Sequence, residues 1–510
     1  MQTPMNHTTD SSSRSSTRPT ARPTAVSRVS DITRITRALR LAIACLVSMT
    51  VTTTASAQDL GLKAPTDARS IAIVGGDIHT ISSGTIEQGV VHMQGGIIKD
   101  VFTPSEWDYY KATIKTNWGQ WEIVNAEGKH VYPGLIGAWS QMGLTEFQAV
   151  DQSNDTNETG WATPETIAAT AVNPDSTLIP VTRSNGVLLS ATYPSGGTIS
   201  GRASVIRMDG WTMPELAIET RWGRSVGLVV NWPNVRPVRA WWMRDNEEEQ
   251  KKRIEETLRK IGTFFDQAAA YARAVEADPT TPKDLRFEAM RPIFPEAAKA
   301  MGVEAMPVLV SAGEVDQITH AVNFFAERGV RVVLVGGRDA PLCADLLRRE
   351  NVPVIVLGTF SVPRRDDSAY DEAYTLPARL ADAGIEFAIA SGDDTAHERN
   401  LPYNAAMAAC FGLDPEAALR SITLAPAKIL GLDATYGSIE KGKSATLIVA
   451  DGPILEITSS VTAAFIDGRR IDLSNKQTVL AEKYRERYRQ MKRADENSNA
   501  KGTNTPARKP

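Results

Sequence analysis

The sequence predicts an α/β protein built on a closed (β/α)8 barrel of the TIM type, with short antiparallel strands at both ends of the chain. Three observations predict it. Apolar strand-like runs at 131–139, 186–192, 306–311, 330–336, 353–358 and 385–391 alternate with helical patterns such as Val315 to Glu327 and Ala340 to Arg349. The alternation persists over about 300 residues; strands joined by crossover helices are parallel, and at that length a closed barrel is favoured over an open sheet. On either side, residues 70–101 ("SIAIVGGDIHTISSGTIEQGVVHMQGGIIKDV") and 436–473 alternate β-branched residues with glycine, as short strands joined by turns do.

In chain order, residues 1–57 differ in kind from the rest. Arg34, Arg37 and Arg40 lead into "LAIACLVSMTVTTTASAQ", which reads as a basic region, a short apolar run and an Ala55-Ser56-Ala57 cleavage site, so a secretory signal cut before Gln58 is expected. The apolar run is about half of the ~20 residues a bilayer span needs. A periplasmic or secreted protein with no stable membrane span follows as the expectation. Without the leader's seven arginines and two aspartates the chain keeps 49 basic and 58 acidic residues, a net charge near −9. Such a balance disfavours nucleic acid or an anionic membrane as partner and leaves a small molecule. Cys343 and Cys410 lie in separate helix-like stretches, which points to two buried thiols rather than a disulfide.

The barrel is expected over 129–435, with further strands near 203–208 and 226–230 to complete the eight. Residues 245–277 read as one long helix with acidic residues at its N-terminus, where the helix dipole favours them. From 476 to 510 the chain is a charged helix followed by a tail too polar to fold.

Two motifs carry more than a fold class. One is "RNLPYNAAMAACFGLDPEAALRSITLAPAKILGLDATYGSIEKGKSATLIVADG" (Arg399 to Gly452); the other is "PGLI" at 133–136. In these the sequence resembles the amidohydrolase superfamily, in its imidazolonepropionase-like branch. The resemblance spans roughly residues 66–475 and implies that 66–128 and 436–475 form one composite β-sandwich beside the barrel. Neither segment has enough apolar surface to fold alone, which points the same way. It also implies hydrolysis of C–N bonds in a small cyclic amide or peptide-like substrate, and family members typically use zinc or another divalent metal.

The same resemblance shows where this chain departs. After "PGLI" the family pattern is Asp, any residue, His, any residue, His; here those places read Gly137, Trp139 and Gln141. The ligand histidine of strand five corresponds to Ser311, and that of strand six to Gly336 or Gly337. Only the strand-eight carboxylate has a counterpart, in "FAIASGDD": Asp393, or Asp394 if the strand is shifted by one.

A catalytic zinc site needs at least three imidazole, thiolate or carboxylate ligands. Indole cannot ligate, and glycine has no side chain. Of the six histidines, His7 is in the leader, His79 and His92 fall in the end strands, His130 precedes the first barrel strand and His320 sits within a helix pattern. His397 alone lies near the expected mouth, so no cofactor is predicted.

The loop after strand one holds Glu146, Asp151, Asp155 and Glu158, a set that reads as a solvated or substrate-facing loop or, less readily, a hard-cation site. "SGGTISG" (Ser195 to Gly201) reads as a turn, with an anion cradle as the alternative. Trp139 admits two readings, a stacking platform for a ligand or a filler of the volume the metal ligands vacated. Asp393 likewise is either a general acid or base or a carboxylate that holds its loop through Arg399.

The candidate set is therefore Asp393 (alternatively Asp394) for catalysis, with Trp139, Gln141, Glu146, Ser311, His397 and Arg399 for substrate contact. The two functions it supports are a C–N hydrolase with a rearranged or metal-free site, and a catalytically inactive barrel that binds a ligand or partner.

Overall fold

The computed structural model describes residues 63, 69–114, 118–238, 245–392 and 395–502. The segment expected to be a secretory signal (1–57), residues 503–510, Asp393 and Asp394 lie outside the described residues.

Eight strands form the barrel sheet: β6 (Leu135–Ser140), β7 (Val187–Thr192), β8 (Ile199–Arg207), β9 (Gly227–Asn231), β10 (Val308–Ala312), β11 (Val332–Gly336), β12 (Val354–Leu357) and β13 (Phe387–Ala390), neighbours in chain order. Their apolar runs are continuous because both faces are covered. Ile136, Leu189, Val205, Val229, Leu309, Val333 and Ile355 fill the interior, while Leu135, Leu188, Leu228, Val308 and Leu334 face the surrounding helices.

The sheet is nearly closed. Among the described residues no ladder joins β13 to β6; the short link between helices Pro415–Arg420 and Leu424–Ile429 bridges them, with Ile389 N–H donating to Ser421 C=O (3.0 Å) and Ile136 N–H donating to Ile422 C=O (2.8 Å).

The expectation of parallel strands throughout is corrected at β8. This strand runs antiparallel to both β7 and β9. Residues 193–198 are too few for a crossover, which takes a dozen or more. Pro194, Gly196 (φ +88°) and Gly197 (φ +63°) turn the chain directly back.

The end strands join in one mixed sheet of eight, ordered β16-β15-β14-β5-β1-β2-β3 with β4 also on β1. Here β1 is Ile71–His79, β2 Thr85–Gln94, β3 Ile97–Phe102, β4 Glu122–Asn125, β5 His130–Pro133, β14 Leu447–Ala450, β15 Val461–Ile466 and β16 Arg469–Arg470. Strands from both chain ends therefore do pair, as one continuous ladder, with Ile448 opposite Tyr132 and Val449 opposite Val131.

The run at 131–139, read as one barrel strand, is two. Pro133 lacks the N–H to continue either ladder. At Gly134 a Cβ would lie 2.8 Å from Leu188 Cδ1 and 2.9 Å from Thr446 Cγ2, so only glycine lets the chain step between the sheets there.

The small sheet buries Ile71, Ile73, Val91 and Val131 from one end against Leu447, Val449 and Phe465 from the other. A chain truncated after Ala434 loses that second half and leaves β5 with an open edge. It should be insoluble when expressed; a soluble product with a cooperative thermal melt would refute the dependence.

The long helix spans Glu247–Ala277 and begins in a capping box, in which Glu249 N–H donates to Asn246 Oδ1 (2.9 Å) and Asn246 N–H to Glu249 Oε2 (3.0 Å). A helix at Lys476–Gly502 follows the small sheet, as the charged pattern predicts. Cys343 is buried, but Cys410 is exposed, which corrects the expectation of two buried thiols. Among the described residues no helix is long and apolar enough to cross a membrane.

Candidate functional site

In a barrel, side chains at the C-terminal strand ends and in the loops beyond them form the mouth. Here a cavity of about 380 Å³ opens against the ends of β9 to β12. Asn231, Ser311 and Gly336 come from the strands, Arg338 and Arg364 from the loops that follow β11 and β12, and Glu372 from the next helix (Glu372–Asp382). Most of the remaining wall is apolar, including Val335, Val356 and Leu357.

Gln317 fixes the floor by accepting from Gly313 N–H (2.9 Å) and donating to Trp232 C=O (2.7 Å). Arg338 pairs with Glu314 (3.1 Å), and Arg365 pairs with the buried Asp339. Arg364 is exposed and makes no ion pair among the described residues. Arg338 is thus already neutralised by Glu314 and, at 3.6 Å, by Asp339, which leaves Arg364 as the lining cation open to a ligand.

On the opposite side, the end of β6 is filled. Trp139 is only 3% exposed and stacks on Tyr193, with ring centroids 3.8 Å apart and planes 14° from parallel. It packs with the barrel interior, so of its two readings the geometry favours the filler over an open stacking platform.

Behind β6, on the side away from the barrel interior, lies a carboxyl group that sequence reasoning missed. Glu398 is fully buried. Its Oε2 accepts from Ser391 Oγ and its Oε1 from Ser190 Oγ (3.5 Å). Burial pushes its pKa up to about 7, opposed by the hydroxyls of Ser391 and Ser190.

The remaining candidates are dispersed. Ser311 lines the cavity, as does Gly336. Gln141 sits in the turn after β6, where its carbonyl accepts from Leu144 N–H (2.9 Å). Glu146 is half-buried and accepts from Thr177 N–H (3.3 Å) and Oγ1 (3.4 Å), so it anchors its loop; burial raises its pKa. His397 is exposed, and Arg399 donates to Ala396 C=O (2.7 Å), both on the 3-10 turn after β13 rather than on the cavity wall. The proposed Arg399 link to Asp393 falls outside the described residues.

In the acidic loop, Asn154 Nδ2 takes the carbonyls of Phe147, Gln148 and Val150, which ties the loop to itself. In "SGGTISG" the N–H groups of Ser195 and Thr198 donate to the carbonyls of Thr156 and Trp161 in the loop after β6, so these two are not free to hold an anion.

Comparison with known proteins sets this barrel among relatives. The amidohydrolase family pattern matches residues 226–471. Amidohydrolase tasK of Hapsidospora irregularis is 24% identical over 381 residues, covering 68% of this chain and 37% of that protein. This chain thus spans little more than a third of its relative's length. An amidohydrolase from Thermotoga maritima MSB8 has the same fold, with a TM-score of 0.65 at 24% identity over 79% of this chain and 99% of that one.

Over residues 226–471 the chain is similar to the amidohydrolase family.

Against the family's ligand pattern, its residues can be tested one by one. At 139 an indole fills the space, at 141 an amide sits in a turn, and at 311 a hydroxyl lines the cavity. At 336 the glycine has φ +97°, a backbone conformation in which histidine would be strained. Among the described residues no three His, Cys, Asp or Glu side chains are grouped to share an ion.

Proposed function

We propose that this amidohydrolase-like barrel binds a small molecule with an apolar body and an anionic group in the cavity at β9 to β12, and does so without a histidine-held metal. The observation that carries the reading is Trp139, buried on Tyr193 where the family pattern has its first ligand. A left-handed glycine at 336 and a hydroxyl at 311 support it, since these residues do not fit zinc. The apolar wall suits the body of the ligand, and Arg364, which makes no ion pair among the described residues, suits a carboxylate, with Arg338 beside it on the same wall.

The family likeness favours a second reading, hydrolysis of a C–N bond in a cyclic amide or dipeptide-like substrate. In that reading Asp393, or Asp394, serves as general acid or base. Export after cleavage before Gln58 belongs to the proposal as well and is supported by the leader's composition.

One screen separates the two readings. N-acyl amino acids, dipeptides and cyclic amides are offered to the purified protein, with binding read by thermal shift and turnover by product formation. Carboxylate-bearing compounds should raise the melting temperature, and Arg338→Ala with Arg364→Ala should weaken that binding by roughly tenfold to a hundredfold, the scale of a lost charged hydrogen bond. Turnover abolished in Asp393→Asn would move the conclusion to a hydrolase. Stoichiometric zinc in protein purified without chelator would overturn the metal-free site.

A further inference from the structure

Gly137 and Glu398 stand 261 positions apart in sequence and occupy one volume in the fold. A Cβ built on Gly137 would lie 1.7 Å from Glu398 Oε1 and 2.9 Å from its Cδ. No side chain coexists with Glu398 at that distance. The backbone does not explain the glycine, because Gly137 is not among the residues with positive φ. What requires glycine there is the carboxyl group itself. In the family pattern this position carries an aspartate, so a carboxyl is lost from β6 and another arrives beside it from the turn after β13.

We propose that Gly137 and Glu398 form an interdependent pair that positions the end of β6. The groups around the carboxyl belong to three segments: the Gly137 backbone is in β6, the Ser190 hydroxyl is in β7, and the Ser391 hydroxyl follows β13. Since β13 and β6 share no ladder among the described residues, Glu398 spans the seam of the barrel through its side chain. No cation among the described residues balances it; hydroxyls are the groups that act on it. Glu398 is accordingly a positioning residue. It acts through its close approach to the β6 backbone at Gly137, two residues before Trp139, and the proposal does not depend on which molecule the mouth binds.

The test is a set of five variants read by thermal unfolding and by near-ultraviolet circular dichroism, which reports the Trp139–Tyr193 stack. Glu398→Ala and Gly137→Ala should each lower the melting temperature by about 5 °C and reduce the aromatic signal. Glu398→Gln, which keeps the shape and can still hydrogen-bond the serines, should retain that signal. The decisive members are the double variants. Gly137→Ala with Glu398→Ala should be no worse than the milder single change, and Gly137→Asp with Glu398→Ala should regain most of the lost melting temperature and dichroism. If Glu398→Ala alone fails to fold, soluble and cooperative double variants support the pair. Losses that add in the doubles, doubles that stay unfolded, or an aromatic signal indifferent to Glu398→Ala would overturn it.

Discussion

Replacing Trp139 with alanine should lower the unfolding free energy by about 3–5 kcal/mol, the range for deleting a large aromatic from a packed core. The size follows from its surroundings. Trp139 is almost fully buried, stacks on Tyr193, and contacts the barrel interior rather than solvent. Its removal leaves a void bounded by strands on several sides, which limits how far the barrel can collapse to fill it. Equilibrium denaturation would measure the loss. A change below about 1 kcal/mol, the scale of an exposed substitution, would mean that Trp139 faces open space and serves a ligand instead. Histidine at the same place should also destabilise, and it should not recruit zinc, because Ser311 and the left-handed Gly336 would still supply no ligand.

A second large effect concerns pH. In an unfolded chain a glutamate loses its proton near 4.3, whereas burial holds Glu398 protonated up to about 7. Folding therefore favours the protonated form. The stability this group contributes is fully present below about pH 4, declines as pH rises, and is lost above about 7, a span worth roughly 3 kcal/mol by linkage. Glu398→Gln removes the titration and keeps the shape. Between pH 5 and 8 the variant's melting temperature should fall less steeply than that of the unchanged protein, and at pH 8 the variant should melt higher. Parallel melting curves across that interval would show that Glu398 does not titrate there.

Much of the barrel was legible because its strands obey a simple rule. Buried on both faces, Val308–Ala312, Val332–Gly336 and Phe387–Ala390 read as short apolar runs between amphipathic helices, and the pattern motifs then numbered them correctly as strands five, six and eight. The break at Pro133–Gly134 was not legible from hydrophobicity, since residues on both sides are equally buried. Its signal was the Pro-Gly pair, which fits a step between sheets as well as it fits a family motif.

At β8, the turn chemistry of Pro194, Gly196 and Gly197 announced a direct return, but the expectation of a crossover prevailed over it. The site divided in the same way. Ser311, a candidate for substrate contact, and Gly336, the place of a missing ligand, line one cavity. Glu398 was overlooked because a glutamate in "DDTAHERN" looks like a surface residue. What could have exposed it is the glycine at 137, a missing acid in a pattern that expects one, together with Ser190 within one barrel strand and Ser391 just after another.

The reversed strand β8 has an implication for how such a barrel can diversify. Because β7 and β8 meet in a six-residue turn at the mouth, one hairpin stands where two independent connections would otherwise rise, and the link from β8 to β9 runs along the opposite end. A short turn with glycines fixed at positive φ tolerates few insertions or substitutions. That quarter of the rim is consequently the rigid part of the molecule's recognition surface. Among related chains with the same reversal, changes of ligand preference should accumulate in the segments after β9 to β12, where length and sequence are free to vary.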